Sequence, residues 1–291
     1  MAGMGVALGS GGARGWCHIG VLRALDEMGA PPRAIAGCSM GALVGAVYAA
    51  GRLDALEEWA RGLTRRSFVT LLDVGFGQGG LVAGDEILAV LRRLDLPERI
   101  EELPMPFAAV ATDMRTGEEI WLREGSLAEV VRASVALPGV ISPFHLDGQW
   151  LLDGGLVNPV PVNTCRALGA DSVIAVNPNG RPDRLFWRAE TEREAAPRWT
   201  AMKPYLPEAL RGLLERREAA PSYLDVVTGG LNIMIDRVRR SRMEVEPPDL
   251  LLEAALPDML SLEFYRADEA IAEGRRVCEE AARAIGDLAA D

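Results

Sequence analysis

The chain has 291 residues, 49% of them apolar and 25% charged, which is enough to bury a large core as one big α/β domain or two small ones. Its formal net charge of −11 argues against nucleic acid as a main partner and against purely electrostatic attachment to an anionic membrane, and leaves hydrophobic contact with lipid open. The longest apolar run, Ile35 to Ala50, is shorter than a membrane span, and no basic stretch opens a long apolar one at the N-terminus, so neither a spanning helix nor a signal peptide is expected.

Met4 to Leu8 is a short apolar strand, followed by the turn Gly9-Ser10-Gly11-Gly12. Ala13 to Met28 has helical apolar spacing, with Ile19, Leu22 and Leu25 on one face, and stops near Gly29 and Pro31-Pro32. Ala34 to Gly37 is a second strand, and Ala42 to Ala50 is a helix ending at Gly51. Strand, loop and helix twice over predict a parallel sheet with helices on its faces. Leu53 to Leu63 and Asp85 to Leu94 are amphipathic helices, and Phe107 to Thr112 is a strand with Glu118 to Leu122 as its partner. Ala128 to Val135 is helical and stops at Pro138-Gly139. Phe144 to Leu152 reads as a hairpin about Asp147-Gly148 that delivers Asp153 at its end. Ser172 to Val176 is a further buried strand. From Pro178 to Pro221 the chain is rich in Arg, Glu and Pro with aromatic residues interspersed, the best candidate for a mobile cover. A helix around Leu224 to Arg240, a strand at Leu250 to Leu252 and a closing helix from Phe264 to about Ala284 complete the reading. No clean boundary for a second domain is visible, so residues 1–291 are read as one domain with a variable segment at 178–221. Cys17, Cys38, Cys165 and Cys278 lack C-x-x-C pairing and metal-site spacing, and are read as reduced core residues.

Three short patterns carry chemistry. Gly37-Cys38-Ser39-Met40-Gly41 fits G-x-S-x-G, with a strand before it and a helix after it. Such a turn exposes a serine hydroxyl at a helix N-terminus, although alone the pattern equally describes a Gly-rich turn with a capping serine. A serine nucleophile needs a base, and the chain has only two histidines. No histidine follows Asp153, so a triad in the order Ser, Asp, His built on it is excluded. His145 reads as a turn-flanking residue and His18 as a structural hydrogen-bonding one, so the base is expected not to be histidine. Asp153-Gly154-Gly155 supplies a carboxylate at the end of an apolar strand, where burial would raise its basicity; the bland alternative is an Asp-Gly surface turn. Gly9 to Gly15, directly after the first strand, leaves backbone N–H groups free to converge on an anion. A dinucleotide loop is excluded because the second strand ends in Gly37-Cys38-Ser39 rather than in an acidic residue.

These elements, in this order, resemble the patatin-like phospholipase family, most closely its bacterial branch related to neuropathy target esterase. Gly9 to Gly15 with Trp16 to Leu22 is similar to that family's oxyanion loop and first helix, Gly37 to Gly41 to its nucleophile motif, and Asp153-Gly154-Gly155 to the motif of its Ser–Asp dyad. Ala111-Thr112-Asp113, Arg132-Ala133-Ser134, Leu137-Pro138-Gly139 and Asn158 to Val162 are secondary similarities. The likeness is weakest over Pro178 to Pro221, and Ser10 stands where the plant storage proteins carry glycine. The resemblance implies a three-layer α/β/α fold with a mainly parallel central sheet, and hydrolysis of acyl lipids or lysophospholipids without metal or other cofactor. Ser39 would be the nucleophile and Asp153 its base. The N–H groups of Gly11, Gly12 and Ala13, with Met40, would hold the oxyanion, and Gly37, Gly41, Gly154 and Gly155 would support the turns. Arg14 is left between a lipid-phosphate or site-capping role and a structural ion pair. A cytoplasmic protein, in contact with membranes at most peripherally, is expected. The alternatives are a lipid-binding or regulatory protein with a vestigial dyad, and, for Arg181 to Leu214, either an interfacial lid using Leu185, Phe186, Trp187, Trp199, Met202, Tyr205, Leu206 and Leu210 or a helix packed on the core.

Overall fold

Every residue of β1 (Met4–Leu8) is buried, as are those of β2 (Ala34–Cys38) and β3 (Phe107–Asp113). Strands apolar on both faces belong in the middle of a parallel sheet, and β1 pairs in parallel with β2 and β7 (Ser172–Asn177). The structure is a computed structural model, in which residues 3–65, 84–181, 185–186 and 223–290 are described. β3 continues the parallel order beyond β2, and β8 (Leu250–Glu253) continues it beyond β7. β4 (Glu119–Leu122) folds back antiparallel on β3, and the hairpin of β5 (Phe144–Leu146) and β6 (Gln149–Asp153) joins through an antiparallel β3–β6 pairing.

The pairing register around β3 positions the site. Ala109 and Val110 pair with β2 and also with β4, while Ala111 and Thr112 pair with β6 and also with β4. A strand has two edges, so β4 holds one of them and β2 and β6 share the other. β2 runs up that edge and leaves it at Cys38, opposite Val110; β6 runs down it and ends at Asp153, opposite Ala111. The two chains therefore meet head to head at neighbouring β3 positions, which brings Ser39 to Asp153.

Helices cover both faces, as the alternation of side chains requires. A short 3-10 turn (Gly12–Trp16) leads into α1 (Cys17–Glu27), and α2 is Met40–Ala49. Both pack with Val6, Leu8 and Ile35 in the main core. α3 (Leu53–Arg61), α4 (Asp85–Arg93) and α5 (Leu127–Ser134) add Leu56, Leu91 and Val131 to it. On the opposite face, Ala7, Ala36 and Ala175 meet Val162 and Cys165 of α6 (Val162–Ala167). α7 (Tyr223–Val245) follows, then a 3-10 turn (Phe264–Arg266), α8 (Ala267–Glu280), which packs against α1, and α9 (Ala282–Ala290). The result is the expected α/β/α arrangement on a mainly parallel sheet. Two helices expected as single units are divided. The 3-10 turn at Gly12–Trp16 precedes α1, and the closing helix breaks at Ala281. All four cysteines are buried and unpaired. No helix among the described residues is long and apolar enough to cross a membrane. Most of the expected cover at 178–221 lies outside the described residues; within it, Leu185 is exposed and the Arg181 guanidinium stands 4.3 Å from the centre of the Phe186 ring.

Candidate active site

The turn from β2 into α2 holds Ser39 at φ 56° and ψ −121°, a region that a residue with a Cβ enters only at a cost. Glycines on either side make the turn sterically feasible. A Cβ on Gly37 would lie 2.5 Å from the Gly41 carbonyl oxygen, and one on Gly41 2.1 Å from that of Leu8. The strained backbone is pinned from below: the Ser39 N–H donates to Ser134 Oγ at 2.9 Å, and that hydroxyl donates to the Val110 carbonyl at 2.6 Å, at the β2–β6 junction.

Ser39 Oγ donates to Asp153 Oδ2 at 2.6 Å, a contact across 114 positions of sequence. Asp153 is 2% exposed and Ser39 8%. The carboxylate is fixed on every side. Its Oδ1 accepts from the Gly155 N–H at 2.7 Å and, more weakly, from Cys38 Sγ at 3.9 Å. Its N–H donates to the Ala136 carbonyl, and its own carbonyl accepts from Thr112 Oγ1 at 2.9 Å. Burial pushes the Asp153 carboxyl up to about 6, against the opposing pull of the Ser39, Gly155 and Cys38 hydrogen bonds. Below the pair, the backbone of Gly154 packs so tightly on β3 that a Cβ there would lie 2.3 Å from the Val110 carbonyl oxygen.

The glycine loop faces the same point. Gly12 adopts φ +55°, and a Cβ there would also run into the Ser261 carbonyl at 2.4 Å. The N–H groups of Gly11, Gly12 and Met40 have no partner among the described residues, and all three residues line one cavity with Ser39 and Asp153. Two expectations are corrected here. The Ala13 N–H is consumed by the Ser261 carbonyl at 2.8 Å, and Ala13 lies in the core rather than on the cavity, so it is not a free donor. Arg14 forms no ion pair among the described residues: its guanidinium is buried and donates to the Met259 carbonyl at 3.2 Å and to Ser261 Oγ at 3.1 Å. Burial, and then the charge of Arg181, lower the Arg14 guanidinium to about 10. It ties the loop to residues 259–261 and presents no charge to the cavity.

Neither histidine reaches Ser39. His18 is 0% exposed, and its Nε2 stands 2.7 Å from the Gly9 carbonyl, which can only accept, so the proton is on Nε2. Burial lowers it to about 4, leaving a neutral structural ring. His145 sits exposed on the hairpin with its ring edge-on to Trp150, 5.0 Å between centres. Among the described residues no group of three His, Cys, Asp or Glu side chains is placed to hold a metal ion.

The cavity has a volume of about 170 Å3. Beyond Ser39 its wall is mostly apolar: Trp16, Leu43, Trp59, Ile87, Val135, Leu137, Val140, Leu231, Ile235, Leu262 and Phe264 line it. Sequence reasoning missed the second half of this wall, because α7 and the 261–264 turn carry no motif and reach the site only through the fold. It also missed Ser134 as the support of Ser39, although Arg132-Ala133-Ser134 had been noted, and it missed Asn179.

The patatin-like phospholipase family profile matches residues 6–166, a span that contains the glycine loop, Ser39 and Asp153. NTE family proteins of Mycobacterium tuberculosis and Mycobacterium bovis are 36% identical over 96% of this chain and 91% of their own length. The chain belongs to the patatin-like phospholipase family. Human patatin-like phospholipase domain-containing protein 6 is also 36% identical, over 59% of this chain and 13% of that much longer protein. Among solved structures, VipD from Legionella pneumophila aligns over 99% of this chain and 67% of its own, with 14% identity and a TM-score of 0.47. Membership of this family sets the general class of activity, hydrolysis of lipids.

Proposed function

We propose that this patatin-like protein is a serine acyl-ester hydrolase acting on acyl lipids through a Ser39–Asp153 dyad. The observation that carries the reading is the 2.6 Å hydrogen bond from Ser39 Oγ to a buried carboxylate at the end of an apolar cavity. With its carboxyl near 6, Asp153 is ionised at neutral pH yet far more basic than an exposed aspartate, which suits a general base. Asp153 takes the Ser39 proton as Oγ bonds to the ester carbonyl carbon, and the carbonyl electron pair moves onto oxygen. That oxyanion faces the unpartnered N–H groups of Gly11, Gly12 and Met40, with the N-terminus of α2 adding favourable potential. Collapse expels the alcohol, which leaves with the proton from Asp153. Water then attacks the acyl-Ser39 ester, again with Asp153 as base, and releases the fatty acid. The apolar wall suits the acyl chain. Diacyl phospholipids, lysophospholipids and neutral esters all share the reacting group.

Ser39→Ala and Asp153→Asn are the test. Each should lower kcat on a short-chain p-nitrophenyl ester by roughly 1,000-fold or more while the circular dichroism spectrum stays that of the parent. Activity close to the parent's in either correctly folded variant refutes the dyad.

A further inference from the structure

In the loop that faces Ser39, the Gly11 and Gly12 N–H groups, unpartnered among the described residues, lie between pinned neighbours. The Ser10 N–H donates to the Pro159 carbonyl at 2.8 Å, and the Ala13 N–H to that of Ser261 at 2.8 Å. Between them, the Ser10 carbonyl accepts from Asn179 Nδ2 at 2.7 Å. The orientation of that amide is forced, because a carbonyl only accepts and the flipped side chain would set oxygen against oxygen. Asn179 is itself held: its N–H donates to Asn177 Oδ1 at 3.1 Å, and Asn177 Nδ2 donates to Glu253 Oε1 at 2.9 Å. The bond between Ser10 and Gly11 is trans, so the carbonyl and the following N–H point in opposite directions. Anchoring the Ser10 oxygen on Asn179 therefore aims the Gly11 N–H the other way.

We propose that Asn179 is a positioning residue that sets the Gly11 N–H as an oxyanion donor by holding the Ser10 carbonyl. Without it the Ser10–Gly11 peptide plane is free to rotate, and the donor is lost when negative charge develops. This inference rests on the acyl-hydrolase reading above and goes beyond it, because Asn179 lies outside the span that the family profile matches.

The test compares Asn179→Ala and Asn179→Asp with the parent on a soluble ester, together with the rate at which a fluorophosphonate labels Ser39. Removing the anchor should lower kcat and the labelling rate by roughly 10- to 100-fold, with KM changed by less than about two-fold and the melting temperature near the parent's. Asn179→Asp, although the closer isostere, should be the worse of the two, since a carboxylate repels the Ser10 carbonyl. A role in packing alone reverses that order. The inference is overturned by kcat within about two-fold of the parent in both variants, by a loss confined to KM, or by a milder effect in Asn179→Asp than in Asn179→Ala. Ser39→Ala alongside separates the two claims. An active Ser39→Ala protein removes the Ser39–Asp153 dyad and this inference with it; an inactive one beside a fully active Asn179→Ala protein removes this inference alone.

Discussion

Replacing Asp153 by Asn should make the protein more stable at pH 8 while it destroys activity. The carboxyl is 2% exposed, and burial raises it from 3.8 to about 6. An acid with a raised value holds its proton more tightly in the folded chain than in the unfolded one. Stability is therefore lost as pH climbs from about 4 to about 6, and the loss persists at higher pH. A rise of about two units corresponds to roughly 3 kcal/mol, at about 1.4 kcal/mol per unit. Asparagine is the neutral isostere and does not carry that cost. Its oxygen can accept from the Gly155 N–H, and its NH2 can donate to Ser39 Oγ, which then acts as acceptor and turns its own hydrogen toward the cavity. Melting curves of parent and variant between pH 4 and pH 8.5 read the difference. At roughly 2 °C or more per kcal/mol for a chain of this size, Asp153→Asn should melt about 5 °C higher at pH 8, with the gap closing toward pH 4. A variant that melts at or below the parent at pH 8, or a gap that does not shrink on acidification, refutes the argument that Asp153 is held ionised at the expense of stability.

Two further outcomes follow from the same geometry. For the parent, kcat/KM should rise with pH, level off above about pH 6, and fall tenfold per pH unit well below it, because the base must be unprotonated; a profile flat down to pH 4.5 counts against Asp153 in that role. Ser39→Gly and Ser39→Ala both lose the bond to Asp153 and should both abolish activity, but the glycine variant should be the more stable of the two by about 1 kcal/mol, since glycine accepts φ 56° without the strain of a Cβ; a melting temperature at or below that of Ser39→Ala would show that the elbow is not strained.

The parts of the site that were legible in sequence are those where local geometry demands particular residues. Gly37 and Gly41 are legible because any Cβ there would collide with backbone, and the Asp147-Gly148 turn because both residues sit at positive φ, at 47° and 82°. The sheet order was partly legible, since uninterrupted apolar strands such as Val6 to Leu8 and Ala108 to Val110 belong to buried parallel sheets. What stayed hidden depends on neighbours remote in the chain. Ala13 reads like its glycine neighbours until Ser261, far along the chain, takes its N–H. Arg14 invites an ion pair until burial sets it against carbonyl and hydroxyl oxygens instead. α7 looks like an ordinary surface helix, and only the fold, which sets Leu231 and Ile235 around the same cavity as Leu137 and Val140, makes them part of its wall.

The scarcity of histidine and the pairing of β3 are two views of one solution. In a Ser-His-Asp triad the imidazole bridges a serine and a carboxylate that do not touch. Here β2 and β6 share one edge of β3 and leave it at Val110 and Ala111, so Ser39 and Asp153 come into direct contact and an interposed ring has no space. Direct contact leaves the carboxylate to supply the basicity that imidazole provides elsewhere. An exposed aspartate would be too weak a base for that. Burying Asp153 against β3, with Gly155 and Ser39 as its strong donors among the described residues, moves its carboxyl toward the range where histidine ordinarily titrates. The antiparallel return of β6 onto an otherwise parallel sheet thus both delivers the base and, by burying it, gives it the strength the proposed reaction requires.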